Sequence, residues 1–236
     1  MQGKRSIAWA LTIVGLVLPT AVTYVYFTAL ADAPAWTQQT AFSVGKTIQF
    51  GLPILSFLLL GRLFRVAAPQ VRRSLIWGAI SGLVIATAIY ASYRGLLAPL
   101  GITASVGVEV KAKLQATGID NLMMFLVVAC GYAVLHSGIE EYYWRWFIYG
   151  NLRTLVGVGP AMAISSIGFM AHHVLVLARY FHWDSPWTYL ASASVALGGL
   201  IWAYLYEKTG SLTGNWLSHA AVDAMIFYIG YELAFA

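Results

Sequence analysis

The chain has 236 residues, of which 60% are hydrophobic, 14% aromatic and only 10% charged. A typical soluble domain carries about 25% charged residues, so this composition excludes an ordinary water-soluble protein and indicates the lipid bilayer as a partner. The net charge of +5 would suit a nucleic-acid-binding protein if the chain were soluble, but in a membrane protein basic residues collect in cytoplasmic loops. We therefore predict no nucleic acid partner.

Apolar runs of about 20 residues, the length that crosses the hydrocarbon core, recur about seven times. The first, Ile7 to Leu30, follows Lys4 and Arg5 as the core of a signal peptide would. At 24 residues it is longer than such a core, and we predict a retained first helix. The other predicted spans are 41–60, 74–97, 122–149, 159–181, 187–206 and 212–235.

The segment 101–121 between the third and fourth spans is more polar, and it is predicted to be a loop with a short interfacial helix. The polar residues are Glu109, Lys111, Lys113 and Asp120. The single cysteine, Cys130, lies in an apolar run and is predicted to be a buried small hydrophobe. The predicted fold class is all-α: a polytopic integral membrane bundle of about seven transmembrane helices. No repeat or linker is visible, so one domain over residues 1–236 is expected, with a motif-bearing core at about 122–235.

Basic residues predict the orientation of the chain. If the N-terminus is cytoplasmic, nine of the 14 Lys and Arg residues lie on the inner side. These nine are Lys4, Arg5, Arg62, Arg65, Arg72, Arg73, Arg145, Arg153 and Lys208. We therefore expect a cytoplasmic N-terminus, in the cell membrane of a prokaryote.

Ionisable side chains inside spans cost a few kcal/mol each, so each one requires a reason. In this chain they are few, and they cluster on three nonconsecutive predicted helices. The fourth span carries His136, Glu140, Glu141 and Arg145, the fifth His172 and His173, and the seventh His219 and Asp223. Such a distribution is typical of a polar centre inside a helical bundle.

Helical geometry sorts the residues of the fourth span. Glu141 and Arg145 are four residues apart with the acid N-terminal, the favourable order for an ion pair on one face. Glu140 is rotated by about 100° from Glu141 and shares a face with His136. The spacing leaves Glu140 outside the ion pair, which makes it the candidate general base.

The same reasoning applies to the other two spans. His219 and Asp223 are four residues apart and can point into one cavity. His172 and His173 diverge by about 100°, so only one of them is expected to face that cavity.

Structural roles remain open beside these functional ones. The Glu141–Arg145 pair also suits helix packing near an interface. His136, next to Ser137 and Gly138, is interpreted as a hydrogen-bonded packing residue. A functional cluster is favoured because ionisable residues occur on three helices together, and no single residue would be sufficient evidence.

Three ordered motifs carry a resemblance to a known family. Residues 140–145 fit EExxxR, residues 169–173 fit FxxxH, and residues 219–223 fit HxxxN/D. In that order, on successive hydrophobic spans, they resemble the CAAX-protease and bacteriocin-processing family of intramembrane proteases, which includes the Ras-converting-enzyme type of prenyl endopeptidase. The resemblance covers Glu140 to Asp223.

The resemblance implies roles for individual residues. Glu140 would be the catalytic carboxylate, His173 its partner on the water, and His219 and Asp223 the third motif. Glu141, Arg145 and Phe169 would support them. Family members often have Asn where this chain has Asp223.

Two mechanisms fit these residues. In the metal-free one, Glu140 and His173 activate a water while His219 and residue 223 stabilise the oxyanion. In the other, His173, His219 and Asp223 hold one divalent metal such as zinc, and Glu140 is the base. The sequence leaves both open.

The leading interpretation is an endopeptidase acting on a membrane-anchored or lipidated peptide. Its substrate would be a CAAX tail, a leader peptide or a sorting signal. An ion- or proton-coupled transporter using the buried Glu, His and Asp is the alternative. A haem protein ligated by two of the histidines and a non-catalytic member of the fold are further hypotheses.

Overall fold

The computed structural model describes residues 2–61, 68–119 and 121–235. Throughout these ranges the regular structure is helical, as predicted. The α-helices are α1 (Gln2–Tyr24), α2 (Ala35–Leu60), α3 (Val71–Ser92), α4 (Ile102–Ala116), α5 (Leu122–Cys130), α6 (Ser137–Glu141), α7 (Gly150–Val156), α8 (Val158–Phe181), α9 (Pro186–Thr209) and α10 (Leu212–Phe235). Four π-helical segments adjoin them: Val25–Ala29, Tyr93–Leu97, Gly131–His136 and Tyr142–Tyr149. Of the sequence predictions, Arg62, Arg65 and Asp120 lie outside the described residues.

Six helical runs within the described ranges are long and apolar enough to cross a membrane. They are Gln2–Ala29, Ala35–Leu60, Val71–Leu97, Leu122–Val156, Val158–Phe181 and Pro186–Thr209. This confirms a polytopic helical membrane protein. The seventh predicted span exists as α10 with the expected bounds, but α10 is not among the six. It carries the polar residues Asn215, His219, Asp223 and Glu232.

Several helices begin earlier than the hydropathy pattern predicts. The helix α2 begins at Ala35 instead of residue 41, because its first turns carry Thr37, Gln38 and Gln39. A hydropathy pattern locates the apolar part of a helix, whereas the backbone hydrogen bonds continue into polar residues. A helix in the polar segment is confirmed as α4, and its position at the membrane interface stays a prediction. Cys130 is exposed, so the prediction of burial is wrong.

The chain divides into two compact units. The first comprises Met1–Ala68 and Tyr142–Lys208, and the second comprises Pro69–Glu141 and Thr209–Ala236. The EExxxR motif is therefore divided between them after Glu141. The single domain predicted from the sequence stays a prediction.

The first unit packs around the aromatic residues of the π-helical segment Tyr142–Tyr149. The Tyr143 hydroxyl, fully buried, donates to the carbonyl of Gly15 on α1 at 2.7 Å. A Cβ at Gly15 would meet Ile148 Cδ1 at 2.6 Å, so a larger residue there would require the Ile148 side chain to shift. Farther along, Arg153 donates two hydrogen bonds to Glu207 on α9, at 2.8 and 3.0 Å.

The second unit is built on α3 and α10. Gly78 of α3 lies against the backbone of Gly214, and a methyl group at Gly82 would come within 2.9 Å of Ser218 Cα. The Ser81 hydroxyl donates to the Ser218 hydroxyl at 3.0 Å across the same interface. Small residues thus let the two backbones approach closely, as is common between membrane helices. This contact positions α10, which carries part of the candidate site.

Candidate active site

The polar cluster of the second unit is assembled from two helices. The short helix α6 carries Glu140 and Glu141, and α10 carries Asn215, His219 and Asp223. Residues 215, 219 and 223 follow one another at intervals of four, which places them on one face of α10. The structure therefore brings together three of the four predicted catalytic residues: Glu140, His219 and Asp223.

His219 lies at the centre of this cluster. Its Nδ1 is 2.8 Å from Glu141 Oε1. Its Nε2 is 3.6 Å from Asp223 Oδ1 and 3.9 Å from Glu140 Oε2. Glu140, Glu141 and His219 are 3%, 0% and 4% exposed, so these contacts are made out of reach of bulk solvent. Electrostatic interactions are stronger in such an environment than in water.

The hydrogen bond at Nδ1 determines which nitrogen of the imidazole is available for chemistry. A carboxylate accepts hydrogen bonds and does not donate them, so the Nδ1–H of His219 donates to Oε1 of Glu141. The Nε2 of the ring is then directed towards Glu140 and Asp223. A carboxylate at the opposite nitrogen is the usual way to fix the tautomer of a functional histidine.

Glu140 lies between two imidazoles. Its Oε1 is 3.4 Å from Nε2 of His136, and its Oε2 faces His219. The sequence interpretation of His136 as a packing residue is therefore incomplete, because its ring also neighbours the candidate base. The signal was present in the sequence, since residues 136 and 140 are four apart on one helix.

A π-helical segment precedes the two glutamates. In Gly131–His136 the backbone amides bond one residue farther back than in an α-helix, which rotates the residues that follow. The Trp216 indole of α10 donates to the carbonyl of Val134 in this segment at 2.7 Å. Its ring packs on Gly138, where a Cβ would lie 3.3 Å from the indole. Trp216 thus fixes the segment from which Glu140 and Glu141 project.

The fourth predicted catalytic residue, His173, belongs to the first unit. On α8 its Nδ1 lies 2.8 Å from the carbonyl oxygen of Phe169. A carbonyl only accepts, so Nδ1 donates, and the neutral ring carries its lone pair on Nε2. This is the tautomer that a histidine needs in order to accept a proton from water through Nε2. Phe169, which is 2% exposed, therefore supports His173 through its backbone.

Arg145 is held by aromatic rings in the same unit. Its guanidinium lies 4.7 Å from the Phe169 ring centroid and 5.0 Å from that of Trp202. The side chain of His172 stacks on Trp144, with ring planes 5° apart. His172 thus contributes to packing, in agreement with its position outside the FxxxH motif. The Glu141–Arg145 pair and the Glu140–His173 dyad would join residues of different units, and both stay predictions.

The donors of the predicted metal alternative were His173, His219 and Asp223. Within the described part of the chain, no group of three or more His, Cys, Asp or Glu side chains is arranged to hold a metal ion. His173 belongs to the first unit, and His219 and Asp223 belong to the second, so the metal alternative stays a prediction.

Sequence reasoning missed two residues of the site, Asn215 and Trp216. The amide Nδ2 of Asn215 donates to Glu141 Oε2 at 3.3 Å. Its position four residues before His219 could have indicated it, because that spacing repeats the one between His219 and Asp223. The role of Trp216 had no signal in the sequence, since its partner is a backbone carbonyl.

Comparison with known proteins agrees with the motifs. Residues 120–225, somewhat less than half of the chain, match the profile of the family described as type II CAAX prenyl endopeptidase Rce1-like. No curated protein and no solved structure matches the chain.

Proposed function

We propose that this chain is a member of the Rce1-like family of type II CAAX prenyl endopeptidases, whose profile residues 120–225 match, and that it is an intramembrane endopeptidase whose water is activated by Glu140 and His173. The substrate is a membrane-anchored peptide. The observation that carries the proposal is the position of Glu140, a carboxylate 3% exposed with an imidazole nitrogen near each oxygen. A buried carboxylate between proton-exchanging groups suits a general base.

The proposed reaction begins with proton removal. Glu140, assisted by Nε2 of His173, takes a proton from water as the water oxygen forms a bond to the scissile carbonyl carbon. The carbonyl π electrons move to oxygen and form the oxyanion. The proton then passes to the amide nitrogen as the C–N bond breaks, which releases an amine and a carboxylic acid.

His219 and Asp223 act on the oxyanion in this proposal. At rest the neutral ring of His219 carries its proton on Nδ1; once Nε2 is also protonated, Nε2 donates to the oxyanion while Glu141 balances the positive charge at Nδ1. An ionised Asp223 would repel an oxyanion. At 3.6 Å from Nε2, Asp223 instead favours the protonated form of His219 or, when protonated, donates a hydrogen bond itself.

No step of the proposed reaction uses a metal. The reaction requires only side chains of this chain, and the metal content of the purified protein is measured alongside its hydrolysis of the peptide.

The proposed substrate is a prenylated CAAX peptide, the substrate class in the description of the family. The exposed surface of the spans is apolar, with large side chains such as Leu58 and Leu83 about 70% exposed, so a lipid-anchored peptide and the enzyme would share one bilayer. We further propose that the N-terminus is cytoplasmic, because nine of 14 basic residues then lie inside. Labelling of single cysteines introduced beside Lys4 and Lys111 tests this orientation.

The central experiment compares Glu140→Gln with the wild-type protein, purified in detergent. The probe is an internally quenched farnesylated CAAX peptide, and its non-prenylated form measures dependence on the lipid. We expect Glu140→Gln to abolish hydrolysis, because an amide cannot take up the proton of water.

Glu232→Gln is the matched control. Glu232 is a carboxylate of α10 that accepts a hydrogen bond from Tyr90 at 3.2 Å, and its replacement is expected to leave hydrolysis intact. Full activity of Glu140→Gln would overturn the proposal, and so would a wild-type protein that transports ions but cleaves none of the CAAX, leader or sorting peptides. One bound metal per chain, lost together with activity in His219→Ala, would replace the metal-free mechanism.

A further inference from the structure

We infer that Asn215 is a positioning residue that holds His219 with its Nδ1–H directed at Glu141. Asn215 acts through the carboxylate of Glu141, to which its amide donates. It lies one helical turn before His219 on α10, and both side chains reach the same carboxylate. The inference rests on the proposed function for its catalytic consequence, but not for its geometry.

Each oxygen of Glu141 accepts a hydrogen bond from one of the two α10 residues. Oε2 accepts from Asn215 Nδ2 at 3.3 Å, and Oε1 accepts from His219 Nδ1 at 2.8 Å. Asn215 and Glu141 are both 0% exposed. Because α10 supplies both donors at a fixed separation, the carboxylate is held in one plane.

This plane matters because the last torsion of a glutamate is soft. Rotation about the Cγ–Cδ bond is broad and roughly two-fold, so a carboxylate bound at one oxygen only is oriented poorly. A second donor at Oε2 removes that freedom. With Oε1 fixed, His219 keeps its proton on Nδ1, and Nε2 stays directed at Glu140 and Asp223.

The consequence for hydrolysis follows from the role of Nε2. In the proposed reaction this nitrogen meets the oxyanion, and small misplacements of such groups are costly. Groups that orient a functional histidine typically change activity by about 10-fold to 100-fold when they are removed. Asn215 acts in this manner through Glu141, and its loss should affect kcat more than KM.

The test replaces Asn215 by leucine, which keeps the approximate volume but lacks the amide donor. Asn215→Asp is the second variant, because it keeps the shape while it removes the donor and adds a charge beside Glu141. Ser218→Ala is the matched control, because it removes a partly buried hydrogen bond of the same helix, the one that Ser218 accepts from Ser81.

The first readout is the tautomer of His219, observed by 15N NMR of protein labelled at histidine. The His219 signals are identified by their loss in His219→Gln. In the wild-type protein we expect a protonated Nδ1. In Asn215→Leu and Asn215→Asp we expect the Nδ1 and Nε2 signals to shift or to split between two tautomers, and in Ser218→Ala we expect no change.

The second readout is hydrolysis of the farnesylated peptide, for which we expect a kcat lowered about 10-fold in Asn215→Leu at nearly unchanged KM. Unchanged His219 signals in both Asn215 variants would overturn the inference even if the wild-type protein cleaves the peptide. Conversely, shifted signals in a protein that cleaves nothing would support the role of Asn215 while the proposed function fails.

Discussion

The Nδ1 of His219 lies 2.8 Å from Oε1 of Glu141, although 78 residues separate the two in the sequence. Both side chains are buried, so the bond is made where water cannot replace it. It leaves the opposite nitrogen of the imidazole facing the two other carboxylates of the cluster. The second glutamate of the motif thus orients a histidine, while the first lies nearer the proposed reacting atoms.

Glu141→Gln should lower kcat by about 10-fold to 100-fold. The amide oxygen can still accept from His219, but the negative charge that balances an imidazolium is gone. The measurement is steady-state hydrolysis of the farnesylated peptide, with the detergent-solubilised protein checked for its thermal midpoint. A kcat equal to that of the wild-type protein would show that His219 does not depend on this charge.

Asp223→Asn should retain hydrolysis or increase it, because an amide can donate to the oxyanion that an ionised carboxylate repels. The leucine of Asp223→Leu can neither donate a hydrogen bond nor carry a charge, and this variant should lower kcat by about 100-fold to 1,000-fold. The comparison of the two variants in one peptide assay separates donation from shape. If Asp223→Asn is as inactive as Asp223→Leu, the carboxylate itself is required.

Gly78→Ala should destabilise the second unit by about 1–3 kcal/mol, because the added methyl group meets the backbone of Gly214 and cannot be accommodated by a side-chain rotation. The measurement is the free energy of unfolding in a denaturing-detergent titration. Gly95→Ala is the control, since a Cβ at Gly95 has nothing within 4 Å. Equal stabilities of the two variants would contradict the close approach of α3 and α10.

Trp216→Phe should cost about 1 kcal/mol, the typical value of a hydrogen bond between membrane helices, because the Val134 carbonyl loses its indole donor. Lipid chains cannot replace that donor. We also expect slower peptide hydrolysis, since the π-helical segment before Glu140 is no longer fixed. Trp77→Phe, at an exposed tryptophan of α3, serves as the control and should change neither quantity.

Arg145→Lys should destabilise the first unit by about 1–2 kcal/mol, because a lysine does not reproduce the stacking of a planar guanidinium on Phe169 and Trp202. The thermal midpoint measures the effect. Arg94→Lys, at a side chain that is 60% exposed, is the control and should unfold like the wild-type protein. A normal midpoint for Arg145→Lys would mean that charge alone, without the aromatic contacts, is sufficient at residue 145.

Much of the site could be predicted because helices impose a period on the sequence. The spacing of four between His219 and Asp223 placed both on one face of α10, and the structure confirms that they are neighbours. The rotation between His172 and His173 separated a stacked packing residue from one bonded to Phe169. Those relations are local, and an α-helix leaves few alternatives for them.

The sequence by itself determined that the chain lies in a lipid bilayer, that it is helical, where most spans begin and end, and which family motifs it carries. It could do so because the length of an apolar run and the helical period are properties of consecutive residues. Only the tertiary structure decided that Glu141 contacts His219, that Glu140 has His136 beside it, and that Asn215 and Trp216 belong to the site. These contacts depend on how closely α3 and α10 pack and on a π-helical turn before Glu140. A side-chain pattern does not encode either, since both arise from backbone hydrogen bonds and from the fit of glycine against glycine.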